Sequence, residues 1–317
     1  MKISSSTLVL LSLTLSFVSC NEDFKICEEG KDCEEASNDN SSAPAPTTPS
    51  GPPNLAPGEE WVQVPASAGG MSLPAFYVMK YEAKAMLNDE SATDATGTGA
   101  ATATHKPVST ADNQPWRNID ANDSAAECES LGVGYHLISN PEWMAIARDI
   151  ENQNANWTGG TVGSGCMFRG NSGEDGTVSG ACGYDAATDP EQGSGRDIRA
   201  KHTLSNGSEV YDMAGNLFEW TDWDKDTVGF QSGPNNCSAS ELNTVACGAL
   251  ADADYNTSNG GYTRTEGAGY FYGGSDGAAL RGGFWIVSSY AGAFTLYLVN
   301  GPTYTNSSIG FRCVFRP

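Results

Sequence analysis

The pattern of hydrophobic and polar positions changes character three times along the chain. Behind Met1-Lys2, an apolar run from Leu8 to Val18 is broken only by Ser and Thr. It is too short to span a bilayer and has the length of the hydrophobic core of a secretory signal peptide. Residues 21–40 then carry eight acids against two lysines, and residues 41–58 are rich in Pro and Ser. That composition predicts an extended, disordered tether. Residues 59–317 have the length of one large domain, with frequent Gly and weak periodicity. Trp61 to Ala83 alternates in parts and predicts two strands around the Gly69-Gly70 turn. Residues 88–104 read as a long loop. Ser124–Leu131 predicts a helix capped by Asp123 or Asn122, with Ala125, Ala126, Cys128 and Leu131 at helical spacing. Pro141–Ile150 predicts a second, capped by Asn140, with Trp143, Ile146, Ala147 and Ile150 on its apolar face. Residues 151–200 are Gly- and Asp-rich and read as an irregular insertion.

The end of the apolar run changes this picture. FVSC (17–20) resembles a bacterial lipobox, with Phe17 where Leu is usual. The resemblance implies cleavage after residue 19 and lipidation of Cys20, which would hold the protein on a membrane without spanning it. Asn21 after the cysteine, by resemblance to lipoproteins of diderm bacteria, favours the outer membrane. The expected organisation is a signal peptide over 1–19, a lipidated Cys20 and tether over 20–58, and a folded domain over 59–317. A net charge of −22 argues against a nucleic-acid partner, which would be repelled. It also disfavours lying flat on an anionic bilayer. Of nine cysteines, lipidation of one leaves an even eight, in keeping with an oxidising compartment. Cys27–Cys33, Cys166–Cys182 and Cys237–Cys247 are sequence-local candidates, which leaves Cys128 with Cys313; spacing alone does not fix the connectivity. No CxxC is present and the chain has three histidines, which disfavours a zinc or redox site.

PWRNID (115–120), AAECESLG (125–132), YHLISNPEWMAIAR (135–148), YDMAGNLFEWTDW (211–223), RGGFW (281–285) and GFRC (310–313) occur in order. Together they resemble the formylglycine-generating enzyme (sulfatase-modifying factor) family. The resemblance implies an α+β, C-type-lectin-like fold with small twisted antiparallel sheets, two main helices and many loops. Pairing of Cys128 with Cys313 fits such folds, which often tie the first helix to the last strand. Enzymes of the family carry two copper-binding cysteines just after R-G-G-S-W. Here Val287 and Ala291 stand about there, and neither can form a thiolate or ligate a metal. Related members bind iron through histidines, but His105, His136 and His202 form no such motif. The expectation is therefore a domain that is not an enzyme and takes no copper. The alternative is an oxidase of the same type with an altered site. By the same resemblance, the carboxylates of Asp212 and Glu219 and the carbonyls of Gly215 and Leu217 would hold a structural calcium. The competing reading of that motif is a core turn, with Asn216 bonding the backbone and Trp220 packed.

The segment after RGGFW also resembles the variable region of proteins diversified by retroelements, which use a lectin-like scaffold and end in R-G-G-x-W…G-F-R. Their diversity arises from adenine mutation of Asn codons, which never yields Lys, Glu, Gln, Met or Trp. Residues 286–309 contain none of these five, although they fill 46 of 317 positions in the chain. At that frequency a stretch of this length free of them arises about 2% of the time. The positions expected to vary and to bind ligand are Phe284, Ile286, Val287, Tyr290, Tyr297, Val299, Gly301, Tyr304, Ser307 and Ser308. Tyr and Phe give contact area at low entropy cost, and Ser, Gly and Asn give adaptable hydrogen bonds. Alternation predicts Tyr297, Val299 and Gly301 outward and Phe294, Leu296 and Leu298 inward. The expected partner is an external ligand, a protein or a cell-surface glycan. The competing reading is a buried strand pair turning at Pro302.

Overall fold

The computed structural model describes residues 51–93, 103–173, 182–222, 240–241, 262–272 and 278–317. The chain divides into a unit of residues 1–47, outside the described residues, and a unit of residues 48–317. In chain order the second unit holds β1 (Trp61–Val64), β2 (Phe76–Met79), β3 (Lys84–Leu87), β4 (His105–Val108), α1 (Ala121–Ser130), β5 (Tyr135–Leu137) and α2 (Asn140–Glu151). There follow β6 (Lys201–Thr203), β7 (Glu209–Tyr211), β8 (Phe218–Thr221), β9 (Ser240–Glu241), β10 (Tyr270–Tyr272), β11 (Ala279–Arg281), β12 (Leu296–Tyr297), β13 (Ile309–Phe311) and β14 (Cys313–Phe315). A four-stranded antiparallel sheet runs β1-β2-β14-β5, and a six-stranded mixed sheet runs β13-β8-β11-β12-β10-β9. β3-β4 and β6-β7 are two-stranded.

Helix α2 sits where both sheets can reach it. Trp143, Ile146, Ala147 and Ile150 are fully buried and share one core with Val62, Phe76 and Val78 of the first sheet and Phe271 and Leu296 of the second. Its start is Ser139 rather than the expected Asn140. The Ser139 hydroxyl accepts from Glu142 N while the Glu142 carboxylate accepts from Ser139 N at 2.8 Å, a capping box that satisfies two otherwise orphaned donors. Helix α1 likewise begins earlier than expected. Asp120 caps it by accepting from Asp123 N at 2.8 Å, so Asp123 lies in the first turn and Ala126 on the exposed side. The two strands around Gly69-Gly70 form as expected, as β1 and β2. β3 and β4 pair on either side of residues 88–104, which were expected as a loop. Residues 51–58, expected as the end of the tether, are held against the domain: Ala56 is buried, and the Tyr135 hydroxyl donates to Pro53 O at 3.2 Å.

Cys128 of α1 and Cys313 of β14 are bonded, with Cα atoms 5.4 Å apart, and Cys166 and Cys182 likewise at 5.7 Å. The expected pairs Cys27–Cys33 and Cys237–Cys247, and Cys20, lie outside the described residues.

One arginine stands between the sheets. Arg312 separates β13, in the large sheet, from β14, in the small one. Its side chain is fully buried. It donates to both Glu219 oxygens, at 2.6 and 2.5 Å, and to Met79 O and Tyr211 O at 3.2 and 3.0 Å. Burial pushes the Glu219 carboxyl up, and the guanidinium fork opposes that by favouring the carboxylate. Glu82, Lys84, Arg196 and Asp212 are buried around the same point. Three acids thus meet three bases, so the cluster as a whole need carry no net charge.

Removing one member of such a pair strands the other in the interior, which costs about 3–5 kcal/mol. Arg312→Met should therefore lower unfolding stability by about that amount in denaturant titrations. Arg312→Met with Glu219→Leu should recover much of the loss, because the pair removed together leaves no orphan charge. A second prediction concerns the α2 cap. His136 Nε2 lies 3.0 Å from Glu142, and Arg316 Nε donates to Glu142 at 2.8 Å. Burial disfavours the His136 cation, but bonding to Glu142 and its charge outweigh this and raise its pKa above 6.5. Burial opposes ionisation of Glu142 too, yet His136, Ser139 and Arg316 lower its pKa below 4.5. The stabilisation from His136 is complete below 6.5 and fades as pH rises through the raised value; that from Glu142 is complete above 4.5 and fades as pH falls through the lowered one. The stability difference between wild type and His136→Gln, measured by thermal melts, should be largest between pH 4.5 and 6.5 and shrink on the alkaline side.

Candidate functional site

The C-terminal segment is held by residues that alternate with the positions expected to vary. Arg281, fully buried at the end of β11, donates from Nε to Asn140 Oδ1 at 2.9 Å and from Nη1 to the carbonyls of Phe294 and Thr295 at 3.3 and 3.4 Å. Trp143 Nε1 donates to Ala293 O at 2.7 Å, and Thr295 Oγ1 to Tyr290 O at 2.7 Å. Gly283 has φ +85°, and a Cβ there would lie 2.7 Å from Ala291 Cα. Only glycine combines that backbone conformation with so close an approach. The second glycine-rich anchor is β13-Arg312-β14, already described. Helix α2, the buried frame AGAF (291–294) and the two glycine-rich ends therefore fix the path of the backbone.

Between these fixed points the side chains emerge. Ile286 is 66% exposed, Tyr304 42%, Tyr290 41% and Val299 40%. Ser307 is exposed, and Phe284, Val287, Tyr297 and Gly301 are partly covered. Ser308 is buried: its N–H and hydroxyl both donate to Asn306 Oδ1, at 2.9 and 2.8 Å, so it shapes a turn. Phe294, Leu296 and Leu298 are buried, opposite in facing to Val299, as the alternation predicts.

The partly covered rings pack on one another. Tyr297 stacks on Tyr272 with centroids 5.2 Å apart and planes 11° from parallel, and meets Phe218 at 5.5 Å. Phe284 packs on Phe218 at 5.3 Å. Tyr290 meets Tyr270 edge-on at 4.9 Å, with the Arg264 guanidinium 4.6 Å from its ring centre. Tyr270 and Tyr272 are thus part of the same aromatic surface, although they precede the C-terminal segment. Sequence reasoning passed over them. The signal was there in Tyr270-Phe271-Tyr272, whose alternation places Phe271 in the core and both tyrosines on the other face.

The positions that would hold catalytic cysteines are Val287, partly covered, and Ala291, buried against Gly283. The histidines stand apart: His105 on β4, His136 against Glu142, and His202 buried on β6. His202 Nε2 lies 3.0 Å from Phe168 O, and burial pushes its pKa down to about 4.

The donor set expected for calcium does not fit that ion. Asp212 is ion-paired with Arg196, and Glu219 is gripped by Arg312. Each carboxylate already has a cation, and among the described residues no group of three His, Cys, Asp or Glu is arranged to hold a metal. The turn is held instead by Asn216. Its Nδ2 donates to Glu82 at 2.6 Å and its Oδ1 accepts from Glu191 N at 2.7 Å. Glu82 also accepts from Leu217 N at 3.0 Å. Gly215 has φ +76°, and a Cβ would meet Asn171 O at 2.3 Å. Trp220 is buried and donates to Ile119 O at 3.0 Å. These contacts are those of the core-turn reading.

The family model described as the sulfatase-modifying factor enzyme 1-like domain matches residues 47–317. No curated protein matches the chain in sequence. Among solved structures, it is similar to Treponema denticola variable protein 1, at 16% identity, with 78% of this chain and 86% of that one covered and a TM-score of 0.40. It is similar to PvdO from Pseudomonas aeruginosa at 16% identity, with 82% and 92% covered and a TM-score of 0.36. For the I1 variant of Major Tropism Determinant the values are 18%, 76% and 50%, with a TM-score of 0.32. Structural likenesses this loose carry no conclusion about function. The family match covers most of the chain, and the chain accordingly belongs to the sulfatase-modifying factor (formylglycine-generating enzyme) family, with that family's α+β, C-type-lectin-like fold.

Proposed function

We propose that this protein is a non-catalytic recognition module, lipid-anchored through Cys20 at the outer membrane. It binds an external ligand through side chains of residues 281–317. The observation that carries this reading is the separation of two roles along one segment. The residues that fix the backbone, Arg281, Gly283, Ala293, Thr295 and Arg312, are buried, whereas Ile286, Tyr290, Val299 and Tyr304 are exposed. Exposed side chains with few packing duties tolerate exchange, since surface substitutions usually change stability by less than about 0.5 kcal/mol. A scaffold of this kind can present many side-chain sets on one fold. Exposed aromatic and aliphatic groups supply the central contact area of a protein interface, with small polar residues around it. The lack of thiols at Val287 and Ala291 removes the nucleophile that oxidation in this family requires. Diversification by a retroelement is part of the same reading, supported by the absence of Lys, Glu, Gln, Met and Trp from 286–309.

Two experiments test it. The genome should hold a near-identical copy of the 3′ end beside a reverse-transcriptase gene, differing only at adenines; a genome with no such copy sinks diversification. A display library panned against the protein should give binders lost together on Ile286→Ser, Tyr290→Ser, Val299→Ser and Tyr304→Ser, with the melting temperature changed by a few degrees at most. Tyr297→Ala should cost more stability than any of these four, because its ring is stacked. Binders indifferent to all four changes, or copper-dependent thiol oxidation by the purified protein, would overturn the recognition role.

A further inference from the structure

A groove of about 510 Å3 opens elsewhere on the domain, between the residues leading into β1, strand β4, the end of α1 and Tyr135. None of its walls comes from residues 281–317. Leu55, Pro107, Val108 and Leu131 give it an apolar side. Most of its polar groups are already engaged. Glu59 accepts from Ala56 N and Trp61 Nε1 at 2.9 and 2.8 Å, and Lys106 pairs with Glu90 at 2.6 Å. The Tyr135 hydroxyl donates to Pro53 O, and His105 Nδ1 lies 3.1 Å from Thr104 Oγ1.

Glu127 is the exception. It lines the groove and is only 8% exposed, yet its carboxyl makes no hydrogen bond or ion pair with any described residue. Burial, with the like charge of Asp123 one turn earlier on α1, pushes its pKa up to about 7. Its oxygens remain reachable from the groove, but burial of the rest of the side chain leaves the charged form under-hydrated, a cost that no cation among the described residues offsets. It would be relieved by a ligand that brings a compact cation with hydrogen-bond donors. An ammonium has three donors and no acceptor, and a hydrocarbon stem behind it would meet the apolar wall.

We propose that this groove is a second ligand site, which binds primary amines carried on an aliphatic stem, with the ammonium seated on Glu127. The shared chemistry has two sources, a lysine side chain of a polypeptide and a free diamine or polyamine. The site is independent of the C-terminal recognition surface and stands or falls without it.

Isothermal titration of the whole chain with cadaverine and with Nα-acetyl-lysine methylamide tests the site, with 1,5-pentanediol as the uncharged control. At least one amine should bind and the diol should not. Tighter binding of the lysine derivative assigns the site to polypeptides, and tighter binding of cadaverine to free amines. Glu127→Gln should weaken amine binding tenfold or more; the substitution breaks no hydrogen bond to a described residue, and its melting curve checks the fold. A carboxyl titrating near 7 must lose its proton to bind, so affinity should fall about tenfold from pH 8 to pH 6. The groups facing Glu127 across the groove are Glu59, His105, Lys106 and Tyr135, with Asp123 beside it on α1. Because His105 also lines the groove, His105→Gln should keep that pH slope. No binding of either amine at millimolar concentration, equal binding by Glu127→Gln, or loss of the slope in His105→Gln overturns the proposal.

Discussion

The fold depends on placing a guanidinium between two sheets. Arg312 is the single residue separating β13 from β14, so the chain passes from the large sheet to the small one at that point. A side chain there is enclosed by both sheets, and a charge can stay only if an opposite charge and several acceptors meet it. Glu219 on β8 supplies the charge, and the carbonyls of Met79 and Tyr211 supply acceptors. This one side chain therefore ties together β2, the β7–β8 turn and the C-terminus. Hydrophobic residues of the same volume would fill the space, but they would not select these partners or this register. Selection among near-equivalent packings is what a short-stranded, loop-rich domain needs, because its strands of two to four residues carry little register information of their own.

The same logic extends to the presented segment. Arg281 does at the start of the segment what Arg312 does at its end, by gripping backbone carbonyls from within the core. The path from Arg281 to Arg312 is set by buried donors and by glycines that allow close approach. Most outward side chains are then relieved of duty in folding. Some are not wholly free of it: Tyr297 and Phe284 pack on Phe218, a strand residue, and Tyr290 leans on Tyr270. The proposed recognition surface thus has a fixed aromatic floor beneath its exposed positions.

Much of this was legible in the sequence, for identifiable reasons. Helix α2 has strong apolar periodicity and a local cap, so its existence needed no tertiary information. The facing of Phe294, Leu296 and Leu298 followed from period-two alternation alone. The cap of α1 was misplaced by three residues because Asp120 and Asp123 are equally good caps locally. Tertiary contacts decide between them: Ala121 N donates to Pro302 O, and Asn118 N to Asn306 O, bringing the chain in before the helix. The charged core was not legible. Lys84 and Arg196 look in sequence like solvated residues, yet both are buried, with Glu82 beside Lys84 and Asp212 paired to Arg196. Asp212 and Glu219 kept the spacing of calcium ligands, but the arginines that occupy them come from residues 196 and 312. A motif preserves the turn it makes; it does not guarantee the ion.

The position of β14 has a consequence for the order in which the molecule can be made. This strand is an inner one, paired with β2 on one side and β5 on the other. The first sheet therefore cannot close before residues 313–315 have been made. β1 and β2 must wait, unpaired along one edge, for residues more than 230 positions later. Completion comes only after the whole presented segment has been laid down. Whatever side chains that segment carries, they are already in place before the last strand locks the frame around them.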